Sequence, residues 1–238
     1  MPLQSQPESP PVPWTPRDVW WGVASFVLWL VVVLVFRLGL EWLPAGVEPD
    51  LGLFVSLAEL LLILPVWWLA IRKYGAGWGS LGLRPFNGAM VGVGCGLMLL
   101  SFAFNFVYGL FLALFDLRVQ LDLIPIFQEL PSPWLFFVGG AIIAPLVEEI
   151  FFRGFVFAGL RPRYGWPRAA LLSAAVFALL HFTPTAMIPI FILGYIFALL
   201  YQFSGSIWPA ILMHVLTNSL ALGAAYALAN AEQLGLPV

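Results

Sequence analysis

The sequence predicts an all-α polytopic membrane protein of about seven transmembrane helices, six to eight at the limits, around a polar cavity within the membrane. Three observations carry that reading. Of the 238 residues, 62% are hydrophobic and only 9% are charged, whereas a soluble domain carries about 25% charged residues. Apolar runs close to the roughly 20 residues that cross a hydrocarbon core recur along the chain. The 11 tryptophans suit interfacial belts. A net charge of −2 points to no nucleic-acid partner, and the single Cys95 allows neither a disulfide framework nor a thiolate metal cluster. The expected partner is the lipid bilayer. No feature of the sequence sets an oligomeric state.

Residues 1–17 (MPLQSQPESPPVPWTPR) are rich in proline and polar groups and lack the basic start and apolar core of a signal peptide. They read as a disordered tail. Residues 18–133 hold three apolar runs, at about 20–36, 51–71 and about 89–115. The second contains Glu59, which has no partner legible in the sequence. Residues 134–228 hold four more runs, at 134–160, 169–182, about 187–203 and 207–228, and residues 229–238 form a short tail. The run at 169–182 is short for a full crossing and ends at Thr183-Pro184-Thr185.

Charge sets the expected orientation. The segments after the second and fourth runs carry Arg72, Lys73, Arg84, Arg161, Arg163 and Arg168, six of the ten basic residues, and no acidic ones. By the positive-inside rule these face the cytoplasm, and the N-terminus lies on the same side.

The chemistry is expected in the fourth run, where Glu148, Glu149 and Arg153 stand with no other charge nearby. Ionisable groups at that depth usually face a cavity or a partner. Glu149 and Arg153 are four residues apart on one helical face and read as an internal ion pair. Glu148 points about 100° away and is the freer carboxylate, suited to general-base work. At 1.5 Å per residue, Glu148 and His181 each lie about 20 Å from the basic segments. His214 and Asn218 lie about 10 and 16 Å into the last run. Both histidines of the chain then share a neighbourhood with Glu148. His214 and Asn218 share a face, and their N–H donors can hold an oxyanion. Phe177, four residues before His181, can orient the imidazole.

These residues, Glu148-Glu149-x-x-x-Arg153, Phe177-x-x-x-His181 and His214-x-x-x-Asn218, resemble the motifs of the CPBP family. This family comprises CAAX-prenyl-protease-like and bacteriocin-processing-like intramembrane endopeptidases, also called the ABI family. The resemblance covers about residues 134–225. It implies hydrolysis of peptide bonds in peptides or membrane proteins. Glu148 and His181 would activate a water, with His214 and Asn218 as the oxyanion hole, and no cofactor. The family has also been described as zinc-dependent, which would make Glu148, His181 and His214 metal ligands. A non-enzymatic immunity or scaffold protein, or a transporter or proton relay through Glu59, Glu148 and the two histidines, are the readings from other classes. One lysine beside nine arginines suggests a prokaryotic source and its inner membrane.

Overall fold

A computed structural model describes residues 12–40, 50–119, 123–129 and 133–231. Helices account for nearly all of them, and no strand occurs among the described residues. The helices are α1 (Pro16–Leu40), α2 (Leu51–Leu60), α3 (63–72), α4 (Ala89–Ala113), α5 (Ile124–Glu129), α6 (Pro133–Tyr164), α7 (Trp166–Leu179), α8 (Met187–Ser204) and α9 (Trp208–Ala229). Five of these, α1, α4, α6, α8 and α9, are long and apolar enough to cross a membrane. The chain is an all-helical polytopic membrane protein. Large apolar side chains on α1 and α4, such as Val35, Leu99 and Phe106, are exposed, as a lipid-facing surface requires.

Two of the expected crossings differ from an uninterrupted helix. The apolar run at 51–71 breaks at residues 61–62, where Leu61 and Leu62 donate to the carbonyls of Ala58 and Glu59, three residues back. Pro65 accounts for the break. Its ring clashes with the carbonyl four residues earlier, that of Leu61, and it has no N–H to donate. The run at 169–182 gives α7, of 14 residues, which ends at Leu179 and stays short of a full crossing.

The segment read as a disordered tail ends in packed structure. Residues 1–11 lie outside the described residues, as do 232–238 of the expected C-terminal tail. From residue 12 the chain is anchored: Trp14 is buried and its indole N–H donates to the Phe155 carbonyl at 3.0 Å. Thr15 caps α1 through a reciprocal pair with Asp18, its N–H and hydroxyl reaching Oδ2 at 2.9 and 2.8 Å. Proline at the first helical position suits this start. Asp18 also accepts from Lys73 and from the Tyr74 hydroxyl, which fastens the start of α1 to the end of α3. The hydrogen bond to Asp18 holds the Lys73 ammonium above the usual lysine range.

The core gathers around α6. Phe151, Phe152, Phe155 and Phe157 are fully buried, and Phe26 of α1 packs on the first two with centroids 5.1 and 5.5 Å away. This helix is not uniform. It widens to i→i+5 turns at Gly139–Ile143 and Ile150–Phe157. The first wide turn precedes Pro145, whose ring would otherwise strike the carbonyl four residues back. Gly139 allows α2 to approach, because a Cβ there would collide with Ser56 Oγ. After α7, a tight turn at Pro184–Ala186 starts α8, which packs back along α7. Gly205, with φ of 69°, ends α8 in the left-handed conformation and turns the chain into α9.

Candidate functional site

Wide turns in α6 surround the carboxylates without separating the expected pair. Arg153 Nη1 donates to Glu149 Oε1 at 2.9 Å, and both side chains are fully buried. The arginine is held from three directions. Its Nη2 donates to the Gly194 carbonyl of α8 at 3.0 Å, and its guanidinium lies 4.4 Å from the Phe177 ring and 5.1 Å from that of Phe197. Aromatic faces replace part of the lost hydration of a cation. Gly194 is required here, since a Cβ would come to 3.0 Å from Phe177 and 3.2 Å from Arg153 Nη2. The sequence pairing of Glu149 with Arg153 says nothing of Gly194 or Phe197, which reach the ion pair from another helix.

His214 closes the cluster from α9. Its Nδ1 lies 2.9 Å from Glu149 Oε1, the oxygen that Arg153 also contacts. An ionised carboxylate only accepts, so Nδ1 carries the proton. The imidazole stacks on Phe197 at 4.9 Å and meets the edge of Phe177 at 5.8 Å. Its Nε2 points toward Glu148, 3.6 Å from Oε2. That distance is too long for a hydrogen bond. Glu148 Oε2 is buried and has no hydrogen-bond partner among the described residues. The two adjacent glutamates therefore occupy different environments: Glu149 is locked in a salt bridge, and Glu148 is held close to an imidazole nitrogen with an unpaired oxygen.

His181 sits just past the end of α7, where Phe182 has a φ of 50°. Its Nδ1 is 2.7 Å from the Phe177 carbonyl. A carbonyl accepts, so this contact places the proton on Nδ1 and leaves Nε2 as an acceptor in the neutral ring. The Phe177 ring packs edge-on at 4.5 Å, as the spacing suggests, although the helix has already ended. Asn218 Nδ2 donates to the Gly140 carbonyl at 2.9 Å, in the first wide turn of α6. One of its amide N–H groups remains for another acceptor. The structure thus joins Glu148, Glu149, Arg153 and His214 in one contact cluster. Phe177 links His181 to that cluster, and the Gly140 turn links Asn218 to it. No hydrogen bond connects His181 to Glu148 among the described residues.

Glu59 is the site neighbour that the sequence leaves unassigned. It lies in the last turn of α2, a helix that packs on the segment of α6 that holds Glu148, and its Oε2 is buried with no hydrogen-bond partner among the described residues. Nothing in the spacing brings α2 to α6. Among the described residues no three His, Cys, Asp or Glu side chains stand close enough together to hold a metal ion.

Residues 130–220, which contain all six candidate residues, match the family described as type II CAAX prenyl endopeptidase Rce1-like. The chain is also 25% identical over 201 residues to the candidate membrane peptidase YdiL of Bacillus subtilis (strain 168), an alignment covering 84% of this chain and 68% of that protein. No solved structure matches the chain. Through residues 130–220, the segment that builds the polar cluster, the chain is thus similar to the CAAX-protease-like membrane proteins.

Proposed function

We propose that the chain is an intramembrane endopeptidase in which Glu148 is the general base. The observation that carries this reading is the unpaired, buried Oε2 of Glu148, 3.6 Å from His214 Nε2. In the proposed reaction Glu148 takes a proton from a water oriented by the free Nε2 of His181. The resulting hydroxide adds to the scissile carbonyl, and the new oxyanion is held by His214 Nε2 and by the spare N–H of Asn218. Donation from Nε2 requires the imidazolium form of His214. The proton held by Glu148 then passes to the departing amine. Glu149 and Arg153 fix His214 and take no part in the bond changes. No metal ion is used in this reading.

A groove of about 540 Å³, lined in part by Ser101, Asn105, Val119, Ala186, Leu193 and Thr217, adjoins both the turn after His181 and the face of α9 beside Asn218. It is where we place the substrate segment, a peptide or the chain of a membrane protein. We also place the basic segments and the N-terminus on the cytoplasmic side of a prokaryotic inner membrane. The pairings of Asp18 with Lys73 and of Arg161 with Gln202 support grouping these basic residues at the helix ends.

The test is cleavage of a quenched peptide library by the detergent-solubilised protein, beside folded Glu148→Ala and with a zinc chelator. Cleavage lost in the variant and kept with chelator is the expected result. Cleavage lost with chelator and restored by zinc overturns the metal-free mechanism. Wild-type and variant proteins that process substrates equally overturn the assignment of Glu148.

A further inference from the structure

We infer that Asn105 of α4 is a substrate-binding residue: its side-chain amide pairs with one backbone peptide unit of an extended, apolar and uncharged segment seated in the groove beside Asn218. The inference rests on the intramembrane-peptidase reading and on the groove as its substrate site.

The groove lies between two points at which α4 is tied to its neighbours. At one, Met98 is buried, its sulfur is 3.5 Å from the Thr217 hydroxyl of α9, and a Cβ at Gly94 would press on Met213. At the other, Thr185, in the turn after His181, donates to the Val119 carbonyl at 3.1 Å. Between these ties the helices stand apart. Asn105 and Phe106 of α4 face Pro189 and Leu193 of α8 and Thr217 and Leu220 of α9 across the groove. Phe106 and Leu220 are exposed, so the groove opens toward the lipid-facing surface. Its inner wall carries Thr217 beside Asn218, and Leu193 beside the Gly194 that holds Arg153.

Asn105 stands in the middle of α4, an apolar helix of 25 residues. Asparagine in a membrane helix ordinarily hydrogen-bonds across to a neighbouring helix. Here its Oδ1 is buried and has no hydrogen-bond partner among the described residues. Thr217, across the groove, gives its hydroxyl proton to the Met213 carbonyl of its own helix at 2.9 Å. An unpartnered buried amide oxygen is uncommon, because its lost hydration is not repaid. A ligand N–H repays it.

A peptide supplies the matching chemistry. A carbonyl open to attack by water is released from helical hydrogen bonding, so the cleaved segment lies extended. Each of its peptide units then presents an N–H and a C=O, and the hydrocarbon core offers no water to satisfy them. A carboxamide is complementary to one such unit: Oδ1 accepts from the N–H, and Nδ2 donates to the C=O. Recognition of this kind reads backbone and tolerates many apolar sequences. It does not tolerate charge, since no charged side chain lines the groove among the described residues. A lysine or glutamate seated there is buried without a counter-charge.

The experiment measures peptide binding to the full-length, detergent-solubilised protein carrying Glu148→Gln, so that bound peptide is not cut. The probe is a fluorescent peptide of leucine and alanine, used beside a series in which successive backbone nitrogens are singly methylated. Methylation at one position is expected to weaken binding about tenfold, the loss of a backbone pairing. Adding Asn105→Leu weakens the unmethylated peptide by about the same factor and removes the dependence on that position. Lysine or glutamate at the centre of the peptide weakens binding in both proteins. In the cleaving protein, Asn105→Leu raises KM about tenfold and leaves kcat nearly unchanged, the mark of lost ground-state binding. Its melting temperature stays at or above that of the wild type, because an unsatisfied polar group is replaced by an apolar one. Asn105→Ala gives the same loss of binding and serves if the leucine variant does not fold.

A methylation profile that is the same with and without Asn105 overturns the proposal, as does a charged peptide that binds as tightly as the uncharged one. A variant that binds like the wild type but changes its oligomeric state assigns Asn105 to a contact between copies, and overturns it too. Binding is independent of turnover. A wild type that cleaves nothing but binds peptide through Asn105 refutes the peptidase reading and leaves the binding residue standing; one that cleaves with Asn105 indifferent does the reverse.

Discussion

His214 Nδ1 and Arg153 Nη1 converge on the same oxygen of Glu149, each at 2.9 Å. One fully buried carboxylate thus fixes a cation from its own helix and an imidazole from a helix 65 residues further along the chain. Replacing Arg153 by methionine leaves Glu149 buried without its counter-charge. Breaking such a pair costs about 3–5 kcal/mol. Arg153→Met is expected to lower the melting temperature in detergent steeply and to abolish cleavage with it. The Arg153→Lys variant keeps the charge but cannot span both Glu149 and the Gly194 carbonyl. It is expected to fall between the two in a thermal-shift measurement.

Glu148 is the contrasting case, since its buried Oε2 has no hydrogen-bond partner among the described residues. Glu148→Gln should leave the melting temperature within a few degrees of the wild type and lower kcat by about 10²–10⁴, the usual contribution of a general base. Steady-state cleavage beside a melting curve separates these. A variant that unfolds would place Glu148 with the structural residues.

The two histidines are expected to separate on stability. His181 is exposed and its ring makes one hydrogen bond, to the carbonyl of Phe177. His214 is buried between Glu149 and Phe197. Both alanine variants should lose cleavage. Only His214→Ala should also lose about 1.5–3 kcal/mol of stability, the worth of a hydrogen bond to a charged group. Equal melting temperatures for the two variants would contradict this geometry.

Gly194 is expected to behave as a site residue although it has no side chain. Its added methyl in Gly194→Ala would press on Phe177 and on Arg153 Nη2. Overpacking of this kind costs about 1–3 kcal/mol. A loss of stability that is not additive with Arg153→Lys, measured as a double-mutant cycle, checks that the two act through one contact.

Much of the fold was legible because membrane insertion is governed by local composition. Each helix in a bilayer must satisfy its own backbone, so long apolar runs announce themselves. The breaks were less visible. Pro65 stands in the sequence, yet the helix fails at 61–62, four residues earlier, where its ring presses on the carbonyl of Leu61. The packed end of the N-terminal segment was hidden because a tryptophan among prolines looks like any other tail. Only the Phe155 carbonyl gives Trp14 its place. Part of the site was legible for the same local reason. Glu149 and Arg153 pair within one helix, and the i,i+4 spacing of a regular helix suffices to find them.

By itself, then, the sequence determined the helical membrane class and placed Glu148, Glu149, Arg153, His181, His214 and Asn218 on apolar segments. It did so because hydrophobic length and helical period are properties of neighbouring residues. The tertiary structure decided which of these touch. It set His214 on Glu149 and 3.6 Å from Glu148, and aimed the Gly194 carbonyl and the Phe177 and Phe197 rings at Arg153. Those contacts join residues 24 to 66 positions apart. They exist only because small residues such as Gly139 and Gly194 let particular helices approach, a matter of packed shape that no single helix encodes.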